Sequence, residues 1–291
     1  MNLVFFVGTG RCGSSLIHEI ISKHEDVGFI SNIDDNLPYF DLKGRWNNQL
    51  YRSLLGNKTT KGKLRFAPSE AYKLIARQVS PVYENSCRDL TESDVTPWLK
   101  QRFRDFFEQR AAIQGKSIFT HKYTGWSRIG FFSSIFPEAK FIHIVRDGRA
   151  VANSWLQMPW WNGYKGPENW LWGELTQPYL EEWKEGNCSF PLLAGIGWKL
   201  LLNSYATSAA SLSDQQYMEI RLEDIVEQPR DSFEKLLSFS GLPWSNEFNT
   251  TFQRNIFSSK RKLAFQDELY PQQLSEIESC LSIELKKHGY I

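Results

Sequence analysis

The chain of 291 residues has few cysteines, no long hydrophobic run and almost no net charge. Its four cysteines are scattered without a C-x-x-C pair, which argues against a disulfide framework and a zinc site of the usual spacing. No segment approaches the ~20 apolar residues that span a bilayer, and no secretory signal pattern precedes the first apolar segment. The formal net charge of +1 is unlike that of a general nucleic-acid binder. We therefore expect a cytoplasmic protein with no metal, no membrane segment and no nucleic-acid partner.

Short apolar segments alternate with amphipathic ones along the chain. Strands are predicted at residues 3–7, 27–30, 117–121, 140–145 and 217–221. Helices are predicted at residues 14–23, 69–80, 97–112, 127–136, 150–156, 196–210, 231–240 and 271–288, and the segment S-N-I-D-D-N at 31–36 is predicted to be a loop. Strands that alternate with helices form a parallel sheet with helices on both faces. The pattern therefore predicts an α/β fold, and the chain length favours one domain over residues 1–291.

The first predicted strand ends in a loop of small residues. Gly8, Gly10 and Gly13 match the G-x-G-x-x-G fingerprint of dinucleotide-binding loops. Gly8 and Gly13, followed by Ser14 and Ser15, also match a P-loop in which Ser14 replaces the lysine. Both templates place backbone N–H groups and a helix N-terminus against an anion. Because Ser14 cannot supply the charge that reaches the β- and γ-phosphates of ATP, kinase or ATPase chemistry is disfavoured.

An NAD(P)-dependent oxidoreductase is one alternative, since Asp34 and Asp35 lie about 20 residues after the glycines, where such a loop needs an acid for the ribose. Arg11 and the hydroxyl pair of Ser14 and Ser15 argue against it, because a dinucleotide loop prefers small neutral residues there. The hydroxyls instead suit a compact phosphate with several charges. A nucleotide-binding module without catalytic activity is a third alternative.

A second candidate anion site follows the predicted strand at residues 140–145. Arg146 comes directly after this strand, and Ser154 lies eight residues later on the next predicted helix. A side chain at the carboxyl end of a parallel strand points into the crevice where ligands bind, and two helical turns bring Ser154 back toward it. An arginine fork with a hydroxyl is suited to hold a phosphate. The two motifs together therefore predict a ligand with more than one anionic group.

These two segments resemble the cofactor-binding signatures of the sulfotransferase family, whose donor is 3′-phosphoadenosine 5′-phosphosulfate (PAPS). The 5′ signature, such as P-R-S-G-T-T-L, corresponds to G-R-C-G-S-S-L at residues 10–16. The 3′ signature, R-D-x-R with a later serine, corresponds to residues 146–149 and Ser154. The arginine in the first loop makes this loop most similar to those of the tyrosylprotein and bacterial branches of the family. Residues 220–244 resemble a further segment of the family. The resemblance implies a three-layer, P-loop-like α/β fold with a central parallel sheet flanked by helices.

The resemblance also implies which residues bind the donor. The first loop is expected to hold the 5′-phosphosulfate through Thr9, Gly10, Arg11, Cys12, Gly13, Ser14 and Ser15. Arg146 and Ser154 are expected to hold the 3′-phosphate, and Lys260 and Arg261, in a loop only partly like that of the family, are further candidates for it. The missing P-loop lysine is then understandable, because PAPS has no γ-phosphate.

Sulfuryl transfer is an in-line displacement that needs alignment and charge stabilisation more than covalent help. The resemblance places Arg11 where it bridges the leaving phosphate and the sulfuryl oxygens. It places Lys122, after the third predicted strand, where it stabilises the bridging oxygen. The acceptor hydroxyl or amine needs a base, and the candidates are Asp34, Asp35 and His121. His121 and Lys122 share a site only if the strand has already ended, because adjacent strand residues face opposite sides.

Tryptophan is concentrated in one part of the chain. Seven of the eleven tryptophans lie between residues 155 and 198, in a segment rich in glycine and proline. We interpret residues 156–197 as a cap over the active site, whose aromatic rings either stack on a flat acceptor such as a sugar or pack the core of the cap. A carbohydrate, a lipid-linked glycan, a small metabolite and a peptide all stay open as acceptors. The sequence does not indicate an oligomeric state.

Overall fold

The computed structural model describes residues 1–37, 41–53, 65–84 and 86–291. Within these ranges five strands form one sheet, namely β1 (Leu3–Val7), β2 (Val27–Phe29), β3 (Ile118–Lys122), β4 (Lys140–Val145) and β5 (Tyr217–Arg221). Their order is β2-β3-β1-β4-β5, and all neighbouring pairs are parallel. β1 is therefore the central strand, with β3 on one side and β4 on the other.

Helices connect the strands and pack on both faces of the sheet. Their bounds are α1 (Ser14–Ile21), α2 (Asn32–Asn36), α3 (Asn47–Ser53), α4 (Tyr72–Gln78), α5 (Pro97–Gln114), α6 (Ile129–Ile135), α7 (Gly148–Leu156), α8 (Gln177–Glu185), α9 (Phe190–Ala209), α10 (Leu222–Glu227), α11 (Pro229–Ser240), α12 (Asn246–Phe252), α13 (Phe265–Glu268), α14 (Pro271–Cys280) and α15 (Ser282–Lys287). None of the helices in the described ranges combines the length and the hydropathy that a membrane crossing requires.

The side chains of β1 alternate between two hydrophobic cores. Leu3, Phe5 and Val7 pack with residues of α4, α5 and α6, whereas Val4 and Phe6 pack with residues of α1, α11 and α12. This alternation follows from the two-residue repeat of a strand, and burial on both faces is typical of a parallel sheet covered by helices. The predicted three-layer α/β fold with a central parallel sheet flanked by helices is confirmed.

The segment at residues 31–36, predicted to be a loop, instead contains the helix α2 (Asn32–Asn36), with Ser31 as its N-cap residue. Ser31 Oγ accepts a hydrogen bond from the Asp34 N–H (3.2 Å), and the Asp34 carboxylate accepts one from the Ser31 N–H (2.8 Å). Such a capping box satisfies two backbone donors at the start of a helix. The sequence signal was weak because aspartate takes the place where glutamate or glutamine is usual.

Two later helices differ in extent from their predicted bounds. α9 begins at Phe190 and not at residue 196, because Ser189 Oγ accepts a hydrogen bond from the Leu192 N–H (3.3 Å) and so caps an earlier turn. The helix predicted over residues 271–288 is two helices, α14 and α15, with the fully buried Leu281 between them.

Helices α7 and α9 approach each other closely at Gly148. A Cβ atom placed on Gly148 would lie 2.6 Å from Cε3 of Trp198, whose side chain is fully buried. This close approach fixes the start of α7, two residues after Arg146, against α9. On α9 itself, a Cβ atom placed on Gly195 would lie 3.5 Å from Ile277, which is an ordinary contact.

We expect Gly148→Ala to lower the free energy of unfolding by about 1–3 kcal/mol, because the added methyl group overpacks against Trp198. Gly195→Ala is the matched control. It should be neutral or stabilise the protein by up to about 1 kcal/mol, since alanine favours a helix interior over glycine. Urea denaturation of both variants and the wild-type protein measures these effects, and equal stability of the two variants would contradict the packing described.

Candidate active site

A cavity of about 820 Å³ lies where the three central strands of the sheet end. β1 continues into the loop at residues 8–13, β3 ends at Lys122, and Arg146 directly follows β4. The loop, Lys122 and Arg146 all line the cavity. Ligands of open α/β sheets bind at the carboxyl ends of the strands, where successive connections leave in opposite directions. The cavity occupies that position between β3 and β4.

The backbone of the loop after β1 is shaped for an anion. Gly10, Arg11 and Gly13 have positive φ angles of 85°, 56° and 84°. Among the described residues, none accepts a hydrogen bond from the backbone N–H groups of residues 10–15. A Cβ atom on Gly13 would clash with Leu222, so this left-handed position requires glycine. Successive N–H groups in such a turn, together with the start of α1, form an anion-binding concavity.

Six of the seven predicted loop residues line the cavity, and the seventh turns away from it. The lining residues are Thr9, Gly10, Arg11, Gly13, Ser14 and Ser15. The side chain of Cys12 is fully buried in the core beside α1. Cys12 therefore contributes its backbone to the loop and its thiol to the core.

The two predicted anion motifs meet directly. Arg11 Nε donates a hydrogen bond to Ser154 Oγ on α7 (2.9 Å), and Arg146 Nη1 donates one to the carbonyl oxygen of Arg11 (2.8 Å). Burial lowers the pKa of Arg146, while the nearby Glu223 acts in the opposite direction. The motif after β4 thus supports the loop after β1 through both a side chain and the backbone.

The basic pair Lys260 and Arg261 lies beside this site without reaching into the cavity. The carbonyl oxygen of Arg261 accepts a hydrogen bond from Arg146 Nη2 (3.1 Å). The Arg261 guanidinium donates a hydrogen bond to the Glu268 carboxylate (2.9 Å). The side chains of Lys260 and Arg261 are both exposed. Arg261 therefore contacts the second motif through its backbone.

Lys122 joins the loop to an acidic residue that sequence reasoning missed. Lys122 Nζ donates to Ser15 Oγ (3.0 Å) and to Glu70 Oε1 (2.7 Å), and Thr124 Oγ1 donates to the same carboxylate oxygen (2.9 Å). Glu70 lines the cavity. Glu70 reaches the site because a β-bridge between Ser31 and Pro68 brings the segment before α4 to the end of β2. No motif marks Glu70 in the sequence.

Asp34 and Asp35, predicted as candidate bases, hold helix ends instead. The Asp34 carboxylate accepts hydrogen bonds from the Ser31 N–H and from Asn47 Nδ2 (2.6 Å). Asp35 accepts from Ser69 Oγ (3.2 Å) and from the Leu74 N–H in α4 (3.0 Å). Neither is among the described residues that line the cavity. The structure therefore does not support the prediction that one of them acts as the base.

His121 is also separated from the cavity. β3 continues through Lys122, so the two side chains face opposite sides of the sheet. His121 is fully buried, and its Nε2 is hydrogen-bonded to the Tyr83 hydroxyl (2.9 Å) in the core that contains Phe107. Burial lowers the pKa of His121 to about 3. The prediction that His121 serves as the base fails for this reason.

The strand order also argues against the dinucleotide alternative. In the usual dinucleotide-binding fold the second strand lies next to the first, so that its terminal acid reaches the ribose. Here β3 lies between β1 and β2. The acids after β2, Asp34 and Asp35, are committed to helix caps. The G-x-G-x-x-G match therefore lacks the structural context that an NAD(P) site needs.

Tryptophans form one wall of the cavity. Trp126, Trp160 and Trp172 line it together with Leu171. Within residues 156–197, Trp170 instead packs with Leu192 and Leu193, and the neighbouring Trp198 is fully buried against α7. Part of the segment at residues 156–197 thus faces the cavity, and part of it forms a small hydrophobic cluster.

A family model described as “Sulfotransferase family” matches residues 4–246. The match includes the loop after β1, Lys122, Arg146 and Ser154. A search among curated proteins finds no significant match. PAPS, the donor that the sequence resemblance implies, fits this family.

Solved structures resemble the chain over almost its full length. The sulfotransferase domain from the curacin biosynthetic pathway has a TM-score of 0.55 and 15% sequence identity, with 97% of each chain covered. Sulfotransferase STF9 from Mycobacterium avium has a TM-score of 0.56 and 12% identity, with 98% of this chain and 76% of that chain covered. Such low identities show the fold alone, and the predicted P-loop-like sulfotransferase fold is confirmed. Because the family model covers most of its length, the chain belongs to the sulfotransferase family.

Proposed function

We propose that the protein moves the sulfuryl group of PAPS to a hydroxyl or amine acceptor by in-line displacement. The observation that carries this proposal is the convergence of three neighbouring strand ends on one cavity. The loop after β1 offers backbone N–H groups and Arg11, the end of β3 offers Lys122, and the end of β4 offers Arg146. This donor set suits a nucleotide that has a phosphosulfate at one position and a separate phosphate at another.

The N–H groups of residues 10–15 and the hydroxyls of Ser14 and Ser15 bind the 5′-phosphosulfate in this proposal. These amides fit the group because they have no acceptor within the described part of the chain. Arg146 and Ser154 bind the 3′-phosphate. Lys260 and Arg261 add positive charge from the loop whose backbone Arg146 contacts.

Arg11 and Lys122 stabilise the charge that develops when the bond between sulfur and the 5′-phosphate oxygen breaks. Lys122 is held between Ser15 and Glu70, so its ammonium lies between the loop and the acceptor side of the cavity. Arg11 is held by Ser154. The leaving group is adenosine 3′,5′-bisphosphate, and the positive side chains need little movement to follow its charge.

Glu70 is the base that the geometry favours in place of Asp34, Asp35 and His121. It lines the cavity, and Lys122 and Thr124 hold its carboxylate in place. As the acceptor oxygen or nitrogen bonds to sulfur, its proton passes to this carboxylate.

The acceptor lies between Glu70 and the tryptophan wall, under the cap at residues 156–197. Aromatic faces such as those of Trp126 and Trp172 suit the flat faces of a sugar ring, so a carbohydrate is the first acceptor to test. We place the reaction in a reducing compartment, the cytoplasm, since all four cysteines are unpaired.

Arg146→Ala should weaken the binding of adenosine 3′,5′-bisphosphate by about 10- to 100-fold, because a charge-assisted contact with the 3′-phosphate is lost. Isothermal titration calorimetry with this nucleotide measures the change. Arg104→Gln is the control and should leave the affinity unchanged, because Arg104 is a partly exposed residue of α5 that pairs with Glu108. Titration with NAD tests the rejected alternative, and a wild-type protein that bound only NAD would contradict the proposal.

Glu70→Gln should lower kcat by roughly 10²- to 10⁴-fold, because the base is removed. The affinity for adenosine 3′,5′-bisphosphate should change little, because the amide oxygen of glutamine can still accept the hydrogen bond from Lys122. Sulfate transfer from radiolabelled PAPS to a panel of acceptors measures kcat. Glu84→Gln is the matched control, since Glu84 lines the same cavity but is exposed. Equal rates for the two variants would contradict the assignment of Glu70, and a wild-type protein that bound the nucleotide without transfer to any acceptor would favour the non-catalytic module.

A further inference from the structure

Arg128 is a buried cation on the cavity wall to which the transfer reaction assigns no role. It lies directly before α6, lines the same cavity as Lys122 and Glu70, and is 4% exposed. Its φ angle is 47°, which is uncommon for a residue other than glycine. Backbone strain of this kind is found preferentially at functional sites.

The guanidinium of Arg128 is poorly satisfied by the protein. Within the described residues it makes one hydrogen bond, from Nη1 to the carbonyl oxygen of Thr124 (3.2 Å), and Nε is buried without a partner. The rings of Tyr83 and Tyr123 lie 5.3 and 5.7 Å from it. Cation–π contacts stabilise a desolvated cation in part, yet they leave its N–H donors free.

The nearby carboxylates are engaged elsewhere. Asp89 Oδ1 accepts the backbone N–H of Arg128 (2.7 Å), and Asp89 Oδ2 accepts the Ser204 hydroxyl (2.5 Å). Glu70 accepts from Lys122 and Thr124. The guanidinium therefore lacks an ion-pair partner within the described part of the chain. Asp89 attracts this cation through its charge without a direct ion pair. A buried cation that lacks a direct ion pair is incompletely compensated, so a ligand anion would gain from contact with it.

We propose that Arg128 binds an acidic group of the acceptor, namely a carboxylate, a sulfate or a phosphate, and so selects anionic acceptors. This assignment rests on the proposed function and narrows its acceptor. A guanidinium fork binds such groups through parallel N–H donors. Trp126 lines the same cavity, and its buried indole Nε1 also has no acceptor in the described ranges. Two free donors, two residues apart, match a ligand group that is rich in acceptor oxygens.

The test uses matched acceptors that differ only in an acidic group, with radiolabelled PAPS as donor. One pair is a methyl glucuronide and the corresponding methyl glucuronamide, and the other is a hydroxybenzoate and the corresponding hydroxybenzamide, so that both members of a pair have the same acceptor hydroxyls. The ratio of kcat/KM for the acidic and the neutral member is measured for the wild-type protein, Arg128→Gln and Arg128→Lys. Arg104→Gln is the control for loss of a positive charge away from the cavity.

We expect the wild-type protein to favour the acidic member of at least one pair by about 10- to 100-fold. Arg128→Gln should bring this ratio close to one, and Arg128→Lys should give an intermediate ratio because it keeps the charge and loses the fork. Arg104→Gln should leave the ratio unchanged. The affinity for adenosine 3′,5′-bisphosphate, measured by calorimetry, should be the same in all four proteins.

The proposal is overturned if the wild-type protein prefers the acidic member of neither pair, including the case in which none is sulfated. It is also overturned if Arg128→Gln lowers kcat/KM equally for both members, as a purely structural role would. If Arg128→Gln does not fold, the ratio of kcat/KM for the acidic and the neutral acceptor in the wild-type protein still tests the proposal. A wild-type protein that fails to bind adenosine 3′,5′-bisphosphate, or that binds it without sulfating any acceptor of the wider panel, contradicts the proposed function itself. Sulfate transfer without acid preference contradicts only the role of Arg128.

Discussion

The guanidinium of Arg146 links two segments that are far apart in the sequence. It donates to the carbonyl oxygen of Arg11 in the loop after β1 and to that of Arg261 near the C-terminus. A guanidinium has five N–H donors, so these two contacts leave donors for an anion in the cavity. The proposed donor site depends on this arrangement, because it fixes the position of the Arg146 guanidinium relative to the loop after β1. The protein has a formal net charge of only +1, whereas the described lining of the cavity has four basic residues and two acidic ones. The excess of positive charge there comes from the placement of these side chains and not from the overall composition.

The fold and the two anion motifs could be predicted from the sequence because their signals are local. β1 is a short apolar run followed directly by glycines whose spacing defines the turn, and Gly10 and Gly13 adopt the left-handed backbone that the pattern indicates. Arg146 is adjacent to the end of β4. Since the carboxyl ends of parallel strands share one edge of a sheet, predicting the strands was enough to predict that these motifs meet.

The acidic side of the site could not be predicted because it depends on contacts between distant segments. Asp34 lies at a sequence distance from the loop that would suit a base, but its carboxylate takes part in the capping box at the start of α2. His121 neighbours Lys122, yet the strand continues through both residues and places them on opposite faces. Glu70 reaches Lys122 only because the segment before α4 folds back onto the end of β2. The spacing of residues in the sequence does not indicate that the segment before α4 folds back in this way.

A crystal structure of the protein with adenosine 3′,5′-bisphosphate tests the central claim most directly. The 5′-phosphate should lie on the backbone N–H groups of residues 10–15, and the 3′-phosphate should lie within hydrogen-bond distance of the Arg146 guanidinium. A nucleotide bound outside this cavity, or one whose 3′-phosphate makes no contact with Arg146, would contradict the account.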